Sequence, residues 1–339
     1  MEVLGTFDEP WAMAILPGKE GILITERAGK VRWWTPTGVL NLEIGVPQVD
    51  YGGQGGLGDI AIAPDYATTH DIYLSWVEAG PDNTRGAVVA RMHFDYGVFI
   101  YFAAPKTIWR QTPKVTGRGH FSHRIAFSPD GKYLYIASGE RQKFTPAQDL
   151  TNNLGKIVRL NLDGTPATGN PFADKGGTSA EIWSYGHRNI LGLQFDAQGR
   201  LWDLEHGPAG GDELNLVKPG QNYGWPLVSD GDHYSGEKIP RHSTRPDLAA
   251  PAISWNPVIA PGDFIFYSGK MWPEWKGQAL IAGLGSAGLV RVRIDGEKAV
   301  EEARYPLGNR IRAIREAPDG SLYVLEDGKG GRLLRLSRK

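Results

Sequence analysis

One repeated pattern constrains the fold of this chain more than any other feature. An apolar strand runs into a turn rich in Pro, Asp and Gly, and a second strand with alternating aromatic and aliphatic positions follows. The pattern is sharpest where Phe127-Ser128-Pro129-Asp130-Gly131 leads into Tyr133 to Ala137, and where Ala317-Pro318-Asp319-Gly320 leads into Leu322 to Leu325. Looser copies run over Leu16 to Thr25, Ala63 to Trp76, Phe195 to Leu204 and Phe266 to Ala282, which makes six in all. Units spaced roughly 45 to 75 residues apart, none able to bury both of its faces alone, are the sequence form of propeller blades. A β-sandwich would take about 100 residues and far fewer turns. The expectation is therefore an all-β, six-bladed β-propeller spanning residues 1–339 as one domain. Trp11 to Leu16 and Leu333 to Leu336 both read as strands, and their pairing would close the ring and protect its edges.

Composition agrees with short strands over long helices: 45 Gly and 23 Pro turn the chain often, and 11 Trp and 13 Tyr fill its interior. The 37 basic and 38 acidic side chains nearly cancel, so no bulk attraction to nucleic acid or to a membrane surface follows. No stretch approaches the roughly 20 apolar residues that span a bilayer, so no membrane insertion is expected. With no cysteine, disulfides, thiolate metal sites and cysteine nucleophiles are excluded together. No charged start followed by an apolar run stands near Met1, and removal of a secretion signal is one reading of that. Two insertions, Arg141 to Asn153 and Asp230 to Ala250, are too long for hairpin turns and are candidates for function.

Three segments carry groups suited to chemistry. Gly119-His120-Phe121-Ser122-His123-Arg124 stands just before a blade strand, where His120 is either a general base at the propeller mouth or a hydrogen-bonded loop histidine. Arg188 and Asn189 end another strand, and Asn309-Arg310-Ile311-Arg312 places two more guanidinium groups on one face. Such arginines bind a carboxylate-bearing anion, or form salt bridges to blade carboxylates. The stretch from Glu205 to Glu213, with Gly207 and Pro208, followed by Asn222 to Pro226, combines free carbonyls with hard acidic oxygens. It suits calcium, or is an unusually glycine-rich turn.

Through these segments, and through Pro10 to Ala14, Gly53 to Leu57 and Ala147 to Leu150, the sequence resembles the soluble quinoprotein aldose sugar dehydrogenases. These are relatives of soluble glucose dehydrogenase that use pyrroloquinoline quinone, and their fold is the six-bladed propeller. The resemblance implies that Arg188, Arg310 and Arg312 bind the three carboxylates of the quinone. It further implies that Gln54 and Asn189 hydrogen-bond its ring system, that Trp255 stacks near it, and that Asp212 lines the same site. The carbonyls of Gly207 and Pro208 would hold a calcium ion against the quinone, and Glu213 with Tyr223 resembles a second, structural calcium position. His120 matches the catalytic base, which would take the proton of the anomeric hydroxyl while hydride passes to the quinone and an aldonolactone forms. A sugar substrate, a separate electron acceptor, a monomeric or dimeric state and a periplasmic or extracellular location are implied with it.

Four positions depart from the family pattern. His123 replaces a small residue, Ile190 a proline, Asp263 a glycine, and Gly285 a lysine that contacts the cofactor in several relatives. New side chains at 123 and 263 are expected to occupy substrate or cofactor volume. Two other readings remain. One is a lactonase-like hydrolase, in which acidic ligands at the axis hold a metal that activates water. The other is a non-redox propeller that binds a ligand, or a transition metal through His120, His123 and His206.

Overall fold

Six antiparallel sheets account for the alternating segments, five of four strands and one, the second, with a fifth short strand, Ile100–Phe102. The computed structural model describes residues 1–18, 21–42, 45–96 and 100–338. Blade 1 runs outward from Pro10–Ile15 to Gly38–Leu42, blade 2 from Leu57–Ile62 to Lys106–Arg110, and blade 3 from Ser122–Phe127 to Ile182–Tyr185. Blade 4 runs from Ile190–Phe195 to Ile253–Trp255 and blade 5 from Pro261–Phe266 to Lys298–Pro306. Blade 6 runs from Ile311–Glu316 through Leu322–Glu326 and Lys329–Leu336 to Glu2–Asp8, the first strand of the chain. The inner strands neighbour one another in a ring, as a six-bladed propeller requires. Among the described residues, no helix is long and apolar enough to cross a membrane.

The Pro-Asp-Gly signatures are the turns between the first and second strands of a blade. Gly131 and Gly320 have φ of 70° and 87°, a region open to glycine at little cost, and each closes its turn onto Ser128 or Ala317. In the copy at Leu16 to Thr25, residues 19 and 20 lie outside the described residues. The ring closes by a different strand from the one expected. Glu2–Asp8 pairs with Lys329–Leu336, while Trp11 to Ile15 belongs to the inner strand of blade 1. The positive φ of Glu9, 49°, turns the chain between these two roles.

One irregularity recurs in every blade. Each inner strand breaks its pairing near its start, leaving extra residues beside the axis: Trp11, Gly58 and Asp59, His123 and Arg124, Leu191, Gly262, and Arg312. A bulge re-aims the side chain it carries, and six bulges at one end of a ring gather six sets of side chains there. Arg124 lies flat on Trp11, its Cζ 3.9 Å from the ring centroid. It donates to Asp59 Oδ1 at 3.1 Å, to the Leu191 carbonyl at 2.6 Å and to the Gly262 carbonyl at 2.7 Å. This one buried side chain of blade 3 therefore touches blades 1, 2, 4 and 5. Asp263 pairs with Arg315 beside it. Removing one member of a buried ion pair leaves the other uncompensated, so Arg124→Leu is expected to cost about 3–5 kcal/mol. The double variant Arg124→Leu/Asp59→Leu should regain part of that loss in guanidinium unfolding. Wild-type stability in the single variant would contradict the role given to Arg124.

Candidate active site

The bulged ends of the inner strands floor a cleft of about 200 Å³. Trp11, His123, Leu191 and Arg312 come from the bulges, and Gln54, Asn189 and Arg310 from adjoining loops. Arg310 Nε donates to Asp327 Oδ2 at 3.0 Å, and Arg312 Nε to Asp327 Oδ1 at 2.9 Å. One carboxylate thus screens two guanidinium groups and leaves the set net positive. Arg27 adds a further cation to the same wall, its side chain donating to the carbonyls of Gly53 and Gly55.

His120 stands next to this cleft with φ of 49°, in a strained run with Ser122 and His123, both at 59°. Its N–H donates to Gln54 Oε1 at 2.7 Å, and its Nδ1 is hydrogen-bonded to Glu140 Oε1. Burial pushes the imidazole below its ordinary pKa, Glu140 opposes that, and the charges of Arg188 and Arg141 lower it further. Burial acts to raise the Glu140 pKa, but the bond to His120, the charge of His120, the Phe144 N–H and the charge of Arg188 together outweigh it and hold the carboxyl below its ordinary pKa. Sequence reasoning missed Glu140, although hairpin register points to it. Ser122 pairs with Ser138, so two residues further out on each side position 120 faces position 140.

A narrow void of about 10 Å³ adjoins the cleft through His206 and is lined by Arg188, Glu205, Gly207, Glu213 and Tyr223. Arg188 lies over Trp225 at 5.1 Å, and its Nε is buried without a hydrogen-bond partner. Asp212 accepts from the Gly207 N–H at 2.9 Å and the Ala260 N–H at 2.7 Å, so its carboxylate pins the Gly207-Pro208 turn from behind. No hydrogen bond from a described residue ends on the carbonyl of Gly207 or Pro208, and both residues are buried.

Behind this turn, buried carboxylates gather with no lysine or arginine paired to them among the described residues. Ligand atoms of His187, Asp203 and Glu205 lie within 4.8 Å of one another. Asn215 Nδ2 reaches Asp203 Oδ1 at 3.1 Å, Glu205 Oε1 at 3.2 Å and Glu213 Oε2 at 3.5 Å. Burial, and then the charges of Glu205 and Asp230, push the Glu213 carboxyl well above its usual range. The Tyr223 hydroxyl is committed to Leu216 and Lys218, so only its carbonyl is left for a cation.

Several expected placements differ. Trp255 is not at the cleft: it is packed between blades 4 and 5 and donates from Nε1 to Glu301 at 2.8 Å, because it faces the core from the outer strand of blade 4. The tryptophan of the cleft is Trp11. Asp263 fills no cleft volume, being the partner of Arg315 in the axis. Ile190 packs into the core with Ile157 and Leu193. A Cβ at Gly285 would come within 2.9 Å of the Ile259 carbonyl, so a lysine there would require the loop to move. His123 does line the cleft, stacked on Trp11 at 5.0 Å with Nδ1 2.8 Å from Ser75 Oγ.

The alternative metal readings lose their ligands. Among the described residues His120, His123 and His206 do not converge, since Glu140, Ser75 and the Pro261 carbonyl hold each ring against a different wall. The axial acids Asp59 and Asp263 are taken by Arg124 and Arg315. Burial drives the His123 pKa to about 3, so the ring stays neutral. Its side-chain nitrogen resonances should therefore not titrate between about pH 5 and 8. A midpoint near the ordinary histidine value would show that water reaches the ring.

With this geometry in hand, comparison with known proteins is direct. The Glucose / Sorbosone dehydrogenase family profile matches residues 7–335. An aldose sugar dehydrogenase of Escherichia coli K12 is 41% identical over 341 residues, covering 97% of this chain and 90% of that protein. The apo crystal structure of the soluble aldose sugar dehydrogenase from Escherichia coli superposes with a TM-score of 0.93 at 39% identity, covering 100% of this chain and 99% of that one. The PQQ-bound aldose sugar dehydrogenase of Streptomyces coelicolor superposes with a TM-score of 0.81 at 30% identity, covering 99% and 96%. The chain belongs to the glucose/sorbosone dehydrogenase family, a family of oxidoreductases.

Proposed function

We propose that this member of the family oxidises an aldose at its anomeric carbon to the aldonolactone, with pyrroloquinoline quinone as hydride acceptor and calcium as its partner. The observation that carries the reading is a buried, carboxylate-oriented histidine beside a cleft lined by Arg27, Arg310 and Arg312. The residues fit the group: Arg310 and Arg312 together exceed the charge of Asp327, Arg188 has a buried donor without a partner, and the Gly207 and Pro208 carbonyls are free. When bound, the quinone supplies a two-electron acceptor and calcium a Lewis acid at its carbonyl.

The chain's own part is positioning and proton transfer. Glu140 fixes the His120 tautomer by holding the proton on Nδ1, which leaves Nε2 to accept the proton of the anomeric hydroxyl. The imidazolium so formed is stabilised by the adjacent carboxylate, so Glu140 acts through His120 as a positioning residue. Gln54 fixes the same histidine from its backbone side. Arg310, Arg312 and Asn189 from the cleft, with Arg188 from the adjoining void, would hold the quinone, and the stacked rings of Trp11 and His123 line the same cleft. Glu213 and the Tyr223 carbonyl would hold a second calcium, which offsets the carboxylates gathered at Asp203 and Glu205.

Turnover of glucose or xylose by the quinone- and calcium-loaded protein, followed with an artificial electron acceptor, tests the reading. No turnover and no spectral sign of bound quinone would remove it. His120→Ala should lower kcat at least about a hundredfold. A neutral base needs pH above its pKa, and the Glu140 carboxylate raises that pKa. Glu140→Gln should therefore shift the acid limb of kcat/KM to lower pH while kcat falls. A limb that stays in place or moves upward would contradict the pairing. Calcium should raise the thermal midpoint of the wild type more than that of Glu213→Gln, and equal shifts would count against the second site.

A further inference from the structure

The loop that carries His120 is held by an arginine that has no part in the chemistry above. Arg141 is fully buried. Its Nε donates to the Gly119 carbonyl at 2.9 Å, its Nη2 to the Gly117 carbonyl at 2.6 Å, and its backbone N–H to the His120 carbonyl at 3.2 Å. The Arg118 carbonyl between them accepts from the Gln54 N–H at 2.8 Å. Every carbonyl from Gly117 to His120 is thus taken, all but that of Arg118 by Arg141. Its Nη1 reaches back to the Arg85 carbonyl of blade 2 at 2.6 Å, and its Cζ stands 3.7 Å from the centroid of the Phe121 ring. The planar fork of an arginine suits such a clamp, because its donors point in fixed directions at once.

The charge of this side chain is left over. Among the described residues no carboxylate pairs with it: Glu140, its neighbour in the chain, is turned to His120, and Asp50 serves Arg85 and Arg118. Burial, and then the charge of Arg85, bring the Arg141 pKa down to about 9, so the guanidinium stays charged through the neutral range. Of the charged groups that bear on the His120 ring, Glu140 favours the imidazolium, while Arg188 and Arg141 oppose it. The neighbouring rings of His123 and His206 add no charge, since burial drives both to a pKa of about 3. Arg188 lines the void beside the cleft, where an anion can screen it. Arg141 lines neither space and keeps its effect when an anion enters.

We propose that Arg141 is a positioning residue for the proton transfer: it clamps the His120 loop through its carbonyls and, as a buried cation that no anion in the cleft can reach, keeps the imidazole free to accept a proton. The inference rests on the reading of His120 as the base. Glu140 and Arg141, adjacent in the chain, then act on one ring in opposite senses. The carboxylate steadies the imidazolium once it forms, and the guanidinium keeps it from forming beforehand, an interaction weakly screened because both groups are out of water.

Two substitutions separate the clamp from the charge. Arg141→Lys keeps the charge and loses the fork, and Arg141→Gln loses both. In the quinone- and calcium-loaded full chain, each should lower the plateau kcat about tenfold or more, as a misplaced catalytic group does. Only Arg141→Gln should also move the acid limb of kcat/KM to higher pH, the reverse of Glu140→Gln. A limb that stays in place in Arg141→Gln, or a plateau kcat unchanged in Arg141→Lys, overturns the proposal. If Arg141→Gln does not fold, Arg141→Lys decides alone: a lowered kcat with the limb in place supports the clamp, and a wild-type kcat overturns it. The charge is also read without turnover, from the pH midpoint of the His120 ring resonances in the quinone-free protein. That midpoint should rise in Arg141→Gln and hold in Arg141→Lys. A risen midpoint in a protein whose wild type oxidises no sugar removes the aldose reading and leaves the pairing of Arg141 with His120 standing, whereas an unmoved midpoint overturns that pairing whatever the activity.

Discussion

The buried guanidinium of Arg124 is the contact on which the rest of this propeller turns. A ring of six sheets has an open axis, and each inner strand arrives there with a bulge that leaves backbone carbonyls without strand partners. Arginine has five donors in a planar fork, and Arg124 spends them on one carboxylate and two of those carbonyls while its flat face covers Trp11. The axis is thereby sealed below the cleft. Because the seal is made of paired charges, with Asp263 and Arg315 alongside, the cleft above gains a floor without gaining net charge from it.

Above the seal, charge is separated by side. The cleft is lined by Arg27, which pairs with Glu9, and by Arg310 and Arg312, which share Asp327. Beyond the Gly207-Pro208 turn lie the buried Asp203, Glu205 and Glu213; burial, and then the neighbouring carboxylates, push the carboxyls of Asp203 and Glu213 above their usual range. One side carries an excess of positive charge and the other an excess of negative charge. His120 stands near their border with Glu140 behind it, in a place where a proton can be taken up while charge of both signs is held nearby.

Much of the fold was legible because its signals are local. The Asp-Gly turns and the alternating strands need only neighbouring residues, and they count to six without any long-range information. Ring closure was read with the wrong strand, since the turn at Glu9 depends on a positive φ that nothing in its residue type announces. The arginines, the glycine-rich turn and His120 were visible as residue types, but their partners were not. Asp327 reaches Arg310 and Arg312 from the facing strand end of the same blade, while Ser75 reaches His123 and Asp59 reaches Arg124 across blades, and pairing over that distance leaves no mark in spacing. The expected places of Trp255 and Asp263 came from the resemblance, and Trp255 stands on an outer strand paired without a shift, where it meets Glu301. On the inner strands simple alternation assigns faces by parity, and the extra residues of the bulges disturb that parity at the ends where the site is built.

The account stands or falls on whether the cleft holds a tricarboxylate quinone together with a divalent cation. Calorimetric titration of the metal-stripped protein with pyrroloquinoline quinone, with and without calcium, measures this without reference to turnover. One quinone per chain should bind, more tightly with calcium present, and Arg312→Ala should weaken binding about tenfold or more, as loss of a charged hydrogen-bond partner does. Absence of binding, or binding indifferent to both calcium and Arg312, would contradict it.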